Sequence, residues 1–109
     1  MNESEFHALA DRMLEAIQDA IDDSGADIDY EQAGGVLTLE FENGSKIIFS
    51  KQPPMMQLWM AAQAGGFHFD YHADRQRWLC DSGDHEELYA MLSRLASQQS
   101  GQIIHLSST

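Results

Sequence analysis

The chain has 109 residues, 18 of them Asp or Glu against six Lys or Arg, for a formal net charge of −12. That length admits one domain around one core, and a hydrophobic content of 43% excludes a disordered acidic tail. The single cysteine, Cys80, excludes an internal disulfide and any zinc or iron–sulfur centre built on several thiolates of one chain, and no run approaches the ~20 apolar residues of a membrane span.

The charge is unevenly spread. Residues 1–31 hold ten acids and one base, Arg12, so that −9 of the −12 lies in the first 31 positions. Such a surface repels nucleic acid and anionic membrane and attracts cations and basic protein grooves, with steering that salt weakens. The first dozen residues carry three acids and no apolar run, the reverse of a secretory or mitochondrial leader, so the expectation is a soluble cytoplasmic protein.

In chain order, Phe6, Leu9, Ala10, Met13, Ile17, Ala20 and Ile21 recur at helical spacing, and residues 4–23 are expected to form an amphipathic helix, capped by Ser4 and stopped at Ser24-Gly25. From Ala26 the period becomes two, with Ile28 and Tyr30 alternating against Asp27, Asp29 and Glu31, the mark of a short strand with an acidic row. Gly34-Gly35 reads as a turn, and Leu37, Leu39 and Phe41 then alternate with Thr38, Glu40 and Glu42. Asn43-Gly44 is a hairpin signal, followed by a return strand over residues 46–50. Pro53-Pro54 belongs in a loop, residues 55–61 in a strand, Gly65-Gly66 in a turn and residues 67–72 in another strand. Residues 73–76 are expected to turn, 77–81 to make the last strand, and about 85–99 a second helix with the stripe Leu88, Met91, Leu92, Leu95 and Ala96. Residues 103–106 are expected to pack back as an extended tail. Hairpin connections are too short for parallel crossovers, so the fold class is α+β: two helices on one face of a five- or six-stranded antiparallel sheet, in one domain over residues 1–109.

Asp11, Glu15, Asp19 and Asp23 stand four apart on the helix face opposite the apolar stripe, with Gln18 and Asp22 beside them. Like charges at this spacing repel, and Asp22 and Asp23 also sit in the last turn, where the helix dipole disfavours anions. The row Asp27, Asp29 and Glu31 can continue this ridge. Carboxylate oxygens suit hard cations such as iron, manganese, magnesium or calcium and offer no soft ligand to select copper or zinc. A calcium EF-hand fails: a loop begun at Asp29 puts Ala33 at a ligand position, in a segment that reads as a hairpin. A ridge without a cage implies weak, exposed and unselective binding, and the plain alternative is a solvated face that aids solubility. His7 and Asp11, with Glu3 a turn back, could hold a divalent ion on one helix face.

On the sheet, Met56, Leu58 and Met60 make the better core set. Gln57, Trp59 and Ala61 then fall on the face without helices, with His68, Asp70 and His72 from the next strand. An outward Trp beside Gln and His has the composition of an interaction hot spot, unless a loop or the tail covers it. Cys80 reads as a small core residue, and the phosphate-loop, dinucleotide and nucleophile-elbow motifs are missing.

Residues 34–48, the Gln57-Leu58-Trp59-Met60 segment and Gly65-Gly66-Phe67-His68-Phe69-Asp70 together resemble the frataxin family, in its bacterial CyaY type, over about Glu3 to Leu106. The resemblance implies a two-layer sandwich, iron binding and a role in iron–sulfur cluster assembly as modulator of a cysteine desulfurase or donor of iron, with the desulfurase and a scaffold protein as partners. It implies metal contacts at Glu15, Asp19, Asp22, Asp23, Asp27, Asp29 and Glu31, desulfurase contacts on the same ridge, and an exposed tryptophan at Trp59. The expectation for the chain itself is a monomer, which metal bridging of its carboxylates could link into oligomers. Gln18 departs from the acid that related bacterial chains often carry there, and the segment after Asp23 is short. An iron-oxidising or iron-storing activity and an acidic interaction module without metal are the alternatives.

Overall fold

The computed structural model describes residues 1–108. Helix α1 spans Glu3–Ser24 and is followed by strands β1 (Ile28–Ala33), β2 (Val36–Phe41), β3 (Lys46–Gln52), β4 (Gln57–Ala62), β5 (Gly65–His72) and β6 (Arg77–Cys80), then helix α2 (Leu88–Ser100). The six strands lie side by side in sequence order, every neighbouring pair antiparallel, as hairpins of this length require.

One face of the sheet makes the core. Leu37, Leu39, Phe41, Ile47, Phe49, Leu58, Met60, Phe69, Trp78 and Cys80 are buried from it, together with the stripe Phe6, Ala10, Leu14, Ile17, Ala20 and Ile21 of α1 and Leu88, Met91, Leu92, Leu95 and Ala96 of α2. Both helices therefore cover the same face, as their periodicity predicts. Trp78, whose side the alternation leaves open, packs edge-on against Phe6 at 6.2 Å between ring centres. Residues 102–108 return across the helix layer. Ile104 and Leu106 are buried, and their N–H groups donate to Ser97 Oγ and Ser93 Oγ at 2.9 Å each.

Two buried glutamines do structural work that no apolar pattern announces. Gln99 of α2 donates to the Lys46 carbonyl at 2.8 Å and accepts from the Gln63 N–H at 3.2 Å, fastening the helix end to two hairpins. Gln57, on the opposite face of the sheet, ties β4 to β5 and to the segment after β6 by donating to Asp70 and Asp81.

Several boundaries differ from the sequence expectation, each for a local reason. Asn2, not Ser4, caps α1: its side chain accepts from the Glu5 N–H at 2.8 Å while Glu5 Oε1 accepts from the Asn2 N–H at 3.1 Å, a reciprocal capping box. Met55 and Met56 are outside β4: Pro53–Met55 form a 3₁₀ turn, and Met56 has φ +51°. The Gly65-Gly66 pair is not a turn but the start of β5, paired with Ala62 and Ala61, and the turn itself is Gln63-Ala64. Helix α2 begins three residues late because Glu87 bridges to Leu79 and then caps the helix, accepting from the Tyr89 N–H at 2.7 Å. Asp81 lies just beyond β6.

The capping box yields a direct test. Asn2→Ala should lower stability by about 1 kcal/mol in urea denaturation, whereas Ser4→Ala should change it by less than about 0.5 kcal/mol.

Candidate functional site

Burial of the α1 stripe turns the opposite helix face to water. Asp11, Glu15, Asp19, Asp22 and Asp23 are all exposed along it. Glu15, Asp19 and Asp23 have no basic group within 4.0 Å among the described residues, and none of the three is engaged by a side-chain hydrogen bond. Asp22 is engaged: both its oxygens accept from the Tyr30 hydroxyl of β1, at 2.9 and 2.8 Å. That bond, strengthened by the field of Asp22, holds the Tyr30 pKa above its ordinary value of 10.0.

The same contact decides where the β1 acids point. Tyr30 and Gln32 turn toward α1, Gln32 accepting a hydrogen bond from Gln18. Strand alternation then sends Asp29 and Glu31 to the other face of the sheet. The ridge expected to run unbroken from Asp11 to Glu31 is thus two rows divided by the edge strand β1. The second row gains Glu40, directly opposite Asp29 in the β1–β2 register. Asp27, at the strand entrance, lines a cavity of about 180 Å³ together with Glu42. Glu40 and Glu42 were visible as the polar half of an alternating strand, but only the register reveals their acidic neighbours. No three His, Cys, Asp or Glu side chains among the described residues converge as a preformed metal cage.

His7 and Asp11 are brought together, though not around an open position. The Lys51 ammonium from β3 contacts Asp11 Oδ1 at 2.7 Å and His7 Nδ1 at 3.2 Å, while Glu3 lies 3.6 Å from His7 Nε2. A protein cation thus occupies the place where the sequence suggested a divalent ion. Gly35 makes the approach possible: a Cβ there would lie 3.1 Å from Lys51 Cε, so a side chain would push the lysine stem off its path.

Trp59, Gln57 and His68 form one platform on the sheet face that the helices leave open. The Trp59 ring stacks on His68 at 4.2 Å and 15°, and its Nε1 donates to Gln57 Oε1 at 2.9 Å. Gln57 Nε2 in turn donates to Asp70 Oδ1 at 3.0 Å and Asp81 Oδ2 at 3.1 Å. Exposed Val36 and Ile48 lie on the same face, with Ser50 pairing Val36 to Trp59 across the sheet. The extended tail runs on the helix side and does not cover this platform. Cys80 is buried in the core, as its reading as a small core residue expects.

These features define a class: a two-layer α+β sandwich with a cation-attracting helix face on one side and an open, aromatic sheet face on the other. Comparison with known proteins agrees. A model of the frataxin-like domain matches residues 1–102. The chain is 52% identical over 101 residues to the iron-sulfur cluster assembly protein CyaY of Ectopseudomonas mendocina, covering 93% of this chain and 91% of that one. It is 51% identical over 102 residues to the protein of that name from Pseudomonas aeruginosa, covering 94% of each. The frataxin structure from Psychromonas ingrahamii superposes with a TM-score of 0.89 at 40% identity, covering 99% of this chain and 100% of that one. Yeast frataxin shares the fold, with a TM-score of 0.62 at 24% identity over 88% of this chain and 80% of that one. The chain belongs to the frataxin family, in its bacterial CyaY type.

Two measurements follow from the site. Because folding favours the neutral Tyr30 hydroxyl, its contribution to stability is complete below pH 10.0 and is lost as pH rises through the raised folded value. In Asp22→Ala the Tyr30 titration, followed by its ring NMR signals, should move down toward 10.0. In Lys51→Met the His7–Asp11 pair loses its cation, and Ni²⁺ or Co²⁺ should bind there several-fold more tightly than in the parent, read by localised shifts of the His7 ring.

Proposed function

We propose that this protein is an iron-binding regulatory adaptor of iron–sulfur cluster assembly. It takes iron as cargo on the carboxylates of Glu15, Asp19, Asp22, Asp23, Asp27, Asp29 and Glu31, and docks a cysteine desulfurase on the same ridge. The observation that carries the reading is the run of exposed α1 carboxylates left without a protein cation, although Lys51 and Arg94 neutralise Asp11 and Glu86 elsewhere. The iron–sulfur cluster assembly role named for the relatives from Ectopseudomonas mendocina and Pseudomonas aeruginosa supports it.

The chemistry suits delivery better than storage. Hard oxygen donors on a convex, hydrated face exchange their ligands readily, and a site without a cage releases its ion without a conformational change. Division of the acids by β1 makes two loading faces, one along α1 and one along Asp29, Glu31 and Glu40. A basic groove on the desulfurase would be steered onto the α1 row and would compete there with the metal. The Trp59 platform presents a rigid aromatic anchor and a satisfied polar rim for the scaffold protein, on a face remote from the helix carboxylates. Binding to both partners from separate faces lets one small monomer regulate the transfer between them in the cytoplasm.

A second reading, an acidic interaction module that carries no metal, is favoured by the lack of converging ligands among the described residues. An NMR titration with Fe(II), repeated with the desulfurase present, separates the two. The proposal expects broadening confined to residues around Glu15–Asp23 and Asp27–Glu31, relieved when the desulfurase binds. Combined Asp19→Lys, Asp22→Lys and Asp23→Lys replacement should weaken desulfurase binding by at least about tenfold and abolish the α1 broadening. Trp59→Ala should leave the iron response unchanged while weakening the scaffold contact. Desulfurase binding and iron broadening that both survive the triple replacement would remove the ridge from either role. Broadening absent from the parent protein would leave the metal-free module.

A further inference from the structure

We propose that a second site, between α1, the β5–β6 hairpin and Ser108 of the extended tail, binds a small organic monoanion with a carboxylate head and an apolar, ring-sized body. A cavity of about 260 Å³ opens there. Leu9 and Met13 of α1 and the aromatic rings of Tyr71 and Trp78 supply its apolar walls, the two rings packed edge to face at 5.3 Å. Arg12 and Arg77 line the same cavity. In a chain of 18 acids and six Lys or Arg, neither of these two guanidiniums has a carboxylate within 4.0 Å among the described residues. Among the described residues, the one side-chain hydrogen bond of Arg77 is a long one, donated to Ser108 Oγ at 3.4 Å. Glu87, the nearby acid, has spent its oxygens on the first N–H groups of α2.

Two unpaired guanidinium forks beside an apolar, aromatic-walled cavity are the complement of a carboxylate joined to a hydrocarbon or aromatic body. The Tyr89 side chain also lines the cavity, and its hydroxyl is buried with no hydrogen-bond partner among the described residues. Burial, then the neighbouring Glu87, raises its pKa, so the hydroxyl stays neutral beside the cavity. The size of the cavity limits the occupant to about one ring and its side arm. The net charge of −12, with Glu87 on the cavity wall, disfavours dianions and so selects a monocarboxylate over phosphate.

The test is a ¹H–¹⁵N NMR titration of the full chain with phenylacetate, with phenylacetamide and inorganic phosphate as separate arms. The proposal expects saturable, millimolar shifts confined to the Trp78 indole N–H, the Arg12 and Arg77 Nε–H signals and the neighbouring backbone. Phenylacetamide and phosphate should not reproduce them. Arg12→Gln and Arg77→Gln should each weaken phenylacetate binding by at least about fivefold, with amide spectra otherwise unchanged. Because Arg12 is exposed, its variant keeps the fold and the test decisive. Shifts that do not saturate, that are matched by phenylacetamide, or that persist undiminished in Arg12→Gln would overturn the proposal. Equal binding of phosphate would replace it with a simple anion patch.

Discussion

The packing of α1 on the sheet governs nearly everything else in the molecule. Six positions of that helix are buried to 6% exposure or less, and they leave the helix only one rotational setting. Each large side chain buried in this way stabilises the fold by roughly 1.5–3 kcal/mol. The repulsion between Glu15, Asp19 and Asp23, beyond the Asp11 that Lys51 pairs, costs only a few tenths of a kcal/mol per neighbouring pair. Burial wins by a wide margin, so the helix tolerates an unrelieved row of carboxylates that an isolated peptide would not. The acidic face is therefore held outward by the core, and its exposure follows from the same contacts that make the domain fold.

The edge strand β1 gives that charge its shape. Its inward side chains reach α1 through Tyr30–Asp22 and Gln32–Gln18, which commits Asp29 and Glu31 to the far side. Being an edge, β1 would invite pairing with another strand, and its acids oppose that outcome. Asp29 directly faces Glu40, an arrangement that is destabilising on its own. A surface that accepts like-charge neighbours along a helix, and again across a ladder, is poised to gain stability from any bound cation.

Positive charge is scarce, and where it is placed matters as much as the excess of acid. Lys51 ends the α1 row at Asp11 and fills the gap beside His7; Arg94 ties Glu86 with two hydrogen bonds ahead of α2. Arg12 of α1 and Arg77 of β6 line an apolar cavity on the helix side of the sheet, while the aromatic platform of Trp59 and His68 occupies the opposite side. Three chemically distinct surfaces thus coexist on one small sandwich without competing for the same residues.

Much of this was legible in the order of residues. Periods of 3.6 and two, the Asn43-Gly44 turn and the stripes of both helices determine an antiparallel sheet with helices on one face. They also determine which carboxylates of α1 are exposed, because amphipathic periodicity assigns faces within one element. Trp59 was placed on the open face by the same alternation. Other features needed the tertiary structure, because they depend on pairs far apart in the chain: Lys51 between His7 and Asp11, Glu40 opposite Asp29, and Gln57 beneath Trp59. Asn2 displaced Ser4 as the cap because both residues can cap and only backbone geometry chooses between them. The Gly65-Gly66 pair entered a strand because register with Ala61 and Ala62 outweighs the turn preference of glycine. Sequence by itself determined the elements, their faces and the charge they carry. Only folding decided which charges meet, since the sign of a surface is local to an element whereas its neutralisation depends on distance.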